Sequence, residues 1–181
     1  VIGKLKNSYV LASETCALDI IGAKFIREVD NGEIVLIESD KLKSIKPFPI
    51  KKIRPCVFEY IYFARPDSIL NGKTAYEHRK NLGKELAKEN DINADIIVPV
   101  PDSGNAAALG FAQHLNKNYE HGLIRNHYVG RTFIEPSQKI RSLGVKLKLN
   151  ANRSSIENKK IILVDDSLVR GTTSHKIVKM L

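Results

Sequence analysis

Lys160-Ile161-Ile162-Leu163-Val164-Asp165-Asp166-Ser167-Leu168-Val169-Arg170-Gly171-Thr172-Thr173-Ser174 decides the fold. Its continuous apolar run reads as a strand buried on both faces, as in a parallel sheet. Two carboxylates arrive at the strand's carboxyl end. A Gly and a run of hydroxyl residues then lead into a helix expected from Ser174 to Leu181. Backbone N–H groups, Thr and Ser hydroxyls and the positive end of a helix make such a loop a site for a phosphate dianion. Gly171 lets backbone approach that phosphate closely. Asp165 and Asp166 are consecutive on an extended strand, so they point in opposing directions and take different tasks.

A second unit of the same kind lies upstream. Ala94-Asp95-Ile96-Ile97-Val98-Pro99-Val100 reads as a buried strand and Pro101-Asp102-Ser103-Gly104 as the loop at its end. Ala107, Phe111 and Leu115 recur at helical spacing beyond it. Two strand-loop-helix units predict an α/β fold, a parallel sheet covered by helices, with ligands bound where loops leave the carboxyl ends of strands. Between the units runs Gly122-Leu123-Ile124-Arg125-Asn126-His127-Tyr128-Val129-Gly130-Arg131-Thr132, polar and made flexible at both ends by its glycines. Before them, Asn71 to Asn90 is expected as a helix with Tyr76, Leu82 and Leu86 facing inward. Val57 to Phe63 is expected as a strand, ended by Arg65-Pro66-Asp67-Ser68.

Nearer the start, short apolar runs alternate with turn signals. Tyr9 to Ser13, Ala17 to Gly22 and Ile34 to Ile37 read as a strand, a short helix and strands around the Asn31-Gly32 turn. Residues 41 to 55 carry six Lys or Arg and three Pro, a composition suited to a connection. A boundary is placed near Lys46, giving domains 1–45 and 46–181. The first residues, Val1 to Lys6, have neither an initiating Met nor the pattern of a signal peptide, so the chain reads as beginning in mid-protein. Leu181 falls inside the expected last helix, as if the chain were cut there.

Composition narrows the function classes. With 43% hydrophobic and 27% charged residues the chain is of ordinary globular type, and no apolar stretch approaches the roughly 20 residues of a membrane span. Cys16 and Cys56 lie far apart without CxxC spacing, so no disulfide framework is expected and a reducing cytoplasm is. Twenty-nine basic against 20 acidic residues give a net charge of +9, which favours polyanionic partners. The basic residues are scattered and not interleaved with the aromatics, so nucleic acid is not the expected one.

The segment VDDSLVRGTTS at 164–174 resembles the phosphoribosyl-pyrophosphate signature of type I phosphoribosyltransferases. Adding SETCALD at 13–19, CVFEYIYFARPDS at 56–68, VPVPDSG at 98–104 and GLIRNHYVGRTFI at 122–134, the whole chain is similar to the glutamine phosphoribosylpyrophosphate amidotransferases. It covers well under half of such an enzyme. The resemblance implies a type I phosphoribosyltransferase sheet flanked by helices and truncated at its carboxyl end, preceded in 1–45 by the last strands of an N-terminal-nucleophile glutaminase domain. It also implies a parent enzyme of purine synthesis. That enzyme would form 5-phosphoribosylamine, glutamate and pyrophosphate from phosphoribosyl pyrophosphate, glutamine and water. The glutaminase nucleophile, an amino-terminal Cys, is absent from a chain that begins with Val1.

By motif match, Asp165 and Asp166 hold the ribose hydroxyls and Mg²⁺. Ser167, Arg170, Gly171, Thr172, Thr173 and Ser174 cradle the 5-phosphate. Asp102, Ser103 and Gly104 form the pyrophosphate loop, with the Ser103 hydroxyl near the metal. Arg125, Arg131 and Gln138 contact the pyrophosphate from a segment that closes over substrate and excludes water, Arg131 as a catalytic cation. Cys56 matches a ligand position of the iron-sulphur cluster found in some members. A cluster needs about four cysteines, so this chain leaves it undecided. The implied partners are phosphoribosyl pyrophosphate and glutamine-derived ammonia, with purine nucleotides as inhibitors and a homo-oligomer as the assembly. The competing reading is a phosphoribosyl-pyrophosphate-sensing transcriptional regulator of the same fold. It calls for a DNA-reading element before the ligand domain, where the residues read as strands.

Overall fold

The computed structural model describes residues 1–39, 41–49, 51–90, 92–128 and 148–181. They form two units, Val1–His78 and Arg79–Leu181.

In the first unit, β1 (Ile2–Leu5) pairs antiparallel with β2 (Ser8–Leu11); helix α1 (Thr15–Ile20) follows, and β3 (Lys24–Arg27) returns along the other edge of β1. Ile2 and Leu18 are fully buried here. At the Asp30–Glu33 turn, Gly32 takes φ 72° and Arg27 forks onto the Glu33 carboxylate at 2.6 and 2.8 Å. Then β4 (Ile34–Glu38) pairs antiparallel with β5 (Lys41–Ile45). Residues 41–45, read as connection, are therefore a strand. Their lysines are exposed on the strand, where charge is compatible with pairing.

Val57 to Phe63, expected as a strand, is helical, and Glu59–Phe63 forms a π-helical turn closed by the Ala64 N–H on the Glu59 carbonyl at 3.2 Å. Val57, Phe58, Tyr62 and Phe63 are all exposed. The strand propensity of such residues comes from packing on a sheet face, and without that packing it does not decide the backbone. The hairpin β6 (Ile69–Leu70) and β7 (Lys73–Thr74) turns at Asn71 and Gly72, both at positive φ. The helix expected from Asn71 consequently starts later, as α2 (Ala75–Lys88). Thr74 caps it reciprocally: Thr74 Oγ1 accepts the Glu77 N–H at 3.1 Å and the Glu77 carboxylate accepts the Thr74 N–H at 3.2 Å.

The first compact unit extends to His78, and within it residues 65–69 are fastened to residues 14 and 15. The Arg65 N–H and Ser68 hydroxyl donate to Glu14 Oε2 at 2.9 and 2.6 Å, and the Ile69 N–H donates to Thr15 Oγ1 at 2.8 Å. The Ser68 hydroxyl, then the Arg65 N–H, hold the Glu14 carboxyl below its usual range. Ser68 is fully buried, so Glu14→Ala leaves its hydroxyl without this acceptor. We expect a loss of about 1–3 kcal/mol by urea unfolding at neutral pH. A depressed carboxylate stabilises above its unfolded pKa and loses that contribution as pH falls through the folded one, so the gap to the variant should close in acid.

The second unit continues from α2 through β8 (Ile96–Pro99), α3 (Asn105–Leu115), β9 (Asn118–Tyr119), β10 (Leu123–Arg125) and β11 (Leu149–Ala151). It closes with α4 (Arg153–Ile156), β12 (Ile161–Val164) and α5 (Thr172–Val178). Strands β12, β8 and β9 form a parallel sheet in that order, and β10 with β11 forms an antiparallel ribbon. Alternation along β8 sorts two cores. Ile96, Val98 and Val100 pack with Leu123, Leu149, Ile156 and Ile177 on one face, whereas Ile97 packs with Ala87, Ala108, Phe111, Ala112 and Val164 on the other. The parallel sheet with helices on both faces is therefore as the sequence predicts.

Helices α2 and α3 meet backbone to backbone. A Cβ at Gly83 would stand 1.9 Å from the Ala107 carbonyl oxygen, and one at Gly110 would stand 1.8 Å from that of Lys80. Ala75, Arg79, Gly83 and Ala87 are the buried residues of α2, and Tyr76, Leu82 and Leu86, expected to face the core, are exposed. Among the described residues no helix is long and apolar enough to cross a membrane.

Candidate functional site

Two hydrogen bonds fix the loops at the carboxyl edge of the sheet. The Val100 N–H donates to the Val164 carbonyl at 2.8 Å, one residue beyond the end of β8, and the Gly104 N–H folds back onto the Val100 carbonyl at 2.9 Å. A Cβ at Gly104 would lie 2.5 Å from the Val164 carbonyl oxygen, so glycine is required there. The Asp102–Gly104 loop and the Asp165–Asp166 pair consequently leave adjacent parallel strands side by side, where open α/β sheets take ligands.

Asp165 is half-buried, and burial pushes its carboxyl up to about 6. The Asp166 N–H, donated to Asp165 Oδ1 at 2.9 Å, opposes that rise and the Asp166 charge adds to it. Asp166 Oδ1 accepts the Ser167 hydroxyl at 2.9 Å, whereas its Oδ2 is buried with no partner. The raised pKa has a stability consequence. Between the unfolded pKa and about 6 the folded state binds the proton more tightly, so stability falls as pH rises through that window and then levels. Asp165→Asn cannot ionise. Calorimetry should show a higher Tm for the variant than for wild type at about pH 7.5, with the difference vanishing toward about pH 4.

Besides Asp166 Oδ2, two more buried polar atoms lack a hydrogen-bond partner among the described residues, Asn105 Oδ1 and Arg125 Nε. Asn105 directly follows Gly104, and Arg125 ends β10 and is ion-paired to Asp102 through Nη1. Unsatisfied buried groups carry a cost, and all three lie on residues in or beside the loops at this edge. Sequence reasoning passed over Asn105; its place in the first turn of α3, next to the PDSG loop, was the available signal.

Around this edge, Ser103 is half-buried and Ser167, Arg170, Thr172 and Thr173 are exposed. Gly171 takes φ 69° immediately before α5, with open space where a Cβ would stand, and its carbonyl accepts the His175 N–H at 2.8 Å. Ser174 lies half-buried in that first turn. The structure thus brings Asp102, Ser103, Gly104, Arg125, Asp165, Asp166 and Ser167 to one edge, with Arg170–Ser174 continuing from it. Arg131 and Gln138 lie outside the described residues. Gly122, expected as a flexible end, is instead packed: a Cβ there would meet the Ile156 side chain at 2.6 Å and that of Val98 at 2.9 Å.

The two carboxylates, one with a buried oxygen unpartnered among the described residues, and the Ser103 hydroxyl are oxygen donors of the kind Mg²⁺ takes beside waters, although the described residues gather no group of three or more His, Cys, Asp or Glu. Cys56, which matches the cluster-ligand position, is exposed, whereas Cys16 is buried with its Sγ 3.9 Å from Glu14 Oε2.

No protein-family model matches the chain. The amidophosphoribosyltransferase of Rhizobium etli, however, is 57% identical over 186 residues, covering 100% of this chain and 38% of that protein. The Bacillus subtilis amidophosphoribosyltransferase is 51% identical over 181 residues, covering 99% of this chain and 38% of its own length. The chain belongs to the amidophosphoribosyltransferase family. It spans about two-fifths of the length of the curated relatives it matches. Among solved structures, the glutamine phosphoribosylpyrophosphate amidotransferase from B. subtilis complexed with ADP and GMP superposes with a TM-score of 0.90 at 50% identity. The match covers 99% of this chain and 39% of that one. A structure described as the allosteric regulatory enzyme of purine biosynthesis matches with the same TM-score and identity. The parallel sheet flanked by helices is accordingly the type I phosphoribosyltransferase-like sheet of the family. The transcriptional-regulator reading receives no support from these relatives.

Proposed function

We propose that the protein at full length is an amidophosphoribosyltransferase of de novo purine synthesis and that this chain carries its phosphoribosyl-pyrophosphate site. Residues 1–45 would end the glutaminase domain and 46–181 would belong to the transferase domain. The observation that carries the reading is the pairing of the Asp102–Gly104 loop with Asp165–Asp166 at adjacent strand ends, beside three unsatisfied buried polar atoms.

In this reading, glutamine-derived ammonia attacks the anomeric carbon as its bond to the pyrophosphate oxygen breaks, and the new amine sheds a proton. Positive character builds on the sugar ring and negative charge on the leaving group, so the protein's work is positioning and electrostatic stabilisation. Asp165 and Asp166 hold the ribose hydroxyls and face the developing positive charge. Ser167 and the Arg170–Ser174 loop hold the 5-phosphate. The Asp102–Gly104 backbone, the Ser103 hydroxyl and the cations Arg125 and Arg131, with Gln138, hold the pyrophosphate and exclude water. Asp165, Asp166 and Ser103 would hold Mg²⁺, which when bound would neutralise charge on the pyrophosphate.

Purine nucleotides are the inhibitors in this reading, supported by the ADP and GMP in the B. subtilis complex. The expected setting is a cytoplasmic homo-oligomer, with an iron-sulphur cluster at Cys56 left aside. The test is pyrophosphate release from phosphoribosyl pyrophosphate by the full-length protein, with glutamine or with ammonium. Turnover with both donors is expected; a folded protein inactive with either would refute the proposal.

A further inference from the structure

We propose that Asp102 is a built-in competitor for the leaving group: its carboxylate occupies the Arg125 guanidinium until a pyrophosphate displaces it, which limits how tightly the site holds diphosphates. This rests on the reading of the site above and adds to it a residue that opposes binding. The contact links residues 23 apart in sequence, the end of β10 and the loop after β8. Its side chains retain 34% and 50% exposure for Arg125 and Asp102, so a ligand can reach the pair. The guanidinium is only partly satisfied: Nη1 meets Asp102 while Nε is buried without a partner among the described residues. Donors therefore remain for a second anion.

The backbone beneath Arg125 is fixed. Leu123 is fully buried, Arg125 is in register with Leu149, and the Asn126 N–H donates to the Lys148 carbonyl at 2.8 Å. Side-chain rotation alone can exchange the partner. A carboxylate and a pyrophosphate beside one guanidinium repel each other, so in this proposal the diphosphate that reaches the remaining donors displaces Asp102 rather than sharing Arg125 with it. The same exchange run backwards helps expel the pyrophosphate product. A ligand held only by Asp165 to Ser174, such as ribose 5-phosphate, leaves the pair intact and incurs no such cost.

Calorimetric titration of the full-length protein with inorganic pyrophosphate, and separately with ribose 5-phosphate, each with Mg²⁺, tests this. Asp102→Asn should bind pyrophosphate roughly two- to fivefold more tightly, the span expected for removing a partly exposed ion pair. Its ribose 5-phosphate affinity should not change. Arg125→Gln should weaken pyrophosphate binding, and adding Asp102→Asn to it should then have no effect. Weaker or unchanged pyrophosphate binding by Asp102→Asn, with wild type binding both probes, overturns the inference and spares the site. A folded wild type that binds neither probe overturns both. Asp102→Ser provides the same comparison should the Asn variant fail to fold.

Discussion

Asp166→Asn is expected to lower ammonium-dependent formation of phosphoribosylamine by about 10²–10³-fold, the range for removing one preorganised group that meets transition-state charge. Asp166 Oδ2 is buried and unpartnered, so the protein already bears the cost of placing it there. Asn keeps the shape and removes the charge, so the fold should survive. Asp165→Asn should cost a similar factor while raising Tm near neutral pH, because it removes a carboxyl that burial pushes up to about 6. Activity and stability thus move in opposite directions in one variant. A merely structural Asp165 would not separate them. Pyrophosphate release at saturating phosphoribosyl pyrophosphate, paired with a melting curve, measures both; activity within about threefold of wild type would remove Asp166 from the site, given the expected effect.

The second large effect concerns the fold. Gly83→Ala or Gly110→Ala is expected to destabilise the Arg79–Leu181 unit by about 3 kcal/mol, at the upper end of overpacking costs. The atoms a Cβ would meet, at 1.9 and 1.8 Å, are backbone carbonyl oxygens of the facing helix, which have no rotamer to escape into. The helices must part, and α3 packs on the strand that carries the Asp102–Gly104 loop. Urea unfolding measures the loss. A shift under about 0.5 kcal/mol, the usual scatter of neutral surface changes, would contradict the α2–α3 crossing described above.

What the sequence made legible was local. Ile161–Val164 and Ile96–Pro99 are continuous apolar runs followed by Gly-bearing polar loops, and that pattern survives in any context, so the parallel sheet and both loops could be read directly. The misreadings came where neighbours decide. Val57–Phe63 has a strand's composition without a sheet to pack on. In α2 the bulky Tyr76, Leu82 and Leu86 read as the core face, but the crossing selects Gly83 because only a small residue admits the backbone of α3. Gly122 reads as a flexible end, although its missing side chain makes room for Val98 and Ile156. Within the site, the motif supplied the members but not their partners. The Asp102–Arg125 pair spans two elements that meet only once the sheet has formed, and Asn105 carries no signature of its own.

The most direct measurement is calorimetric titration of phosphoribosyl pyrophosphate with Mg²⁺ into the folded full-length protein and into its Asp165→Asn, Asp166→Asn double variant. Saturable binding by the wild type, abolished in a double variant of unchanged circular dichroism, is the expected result. Equal affinity in the two proteins would contradict the placement of the phosphoribosyl-pyrophosphate site at the carboxyl ends of β8 and β12.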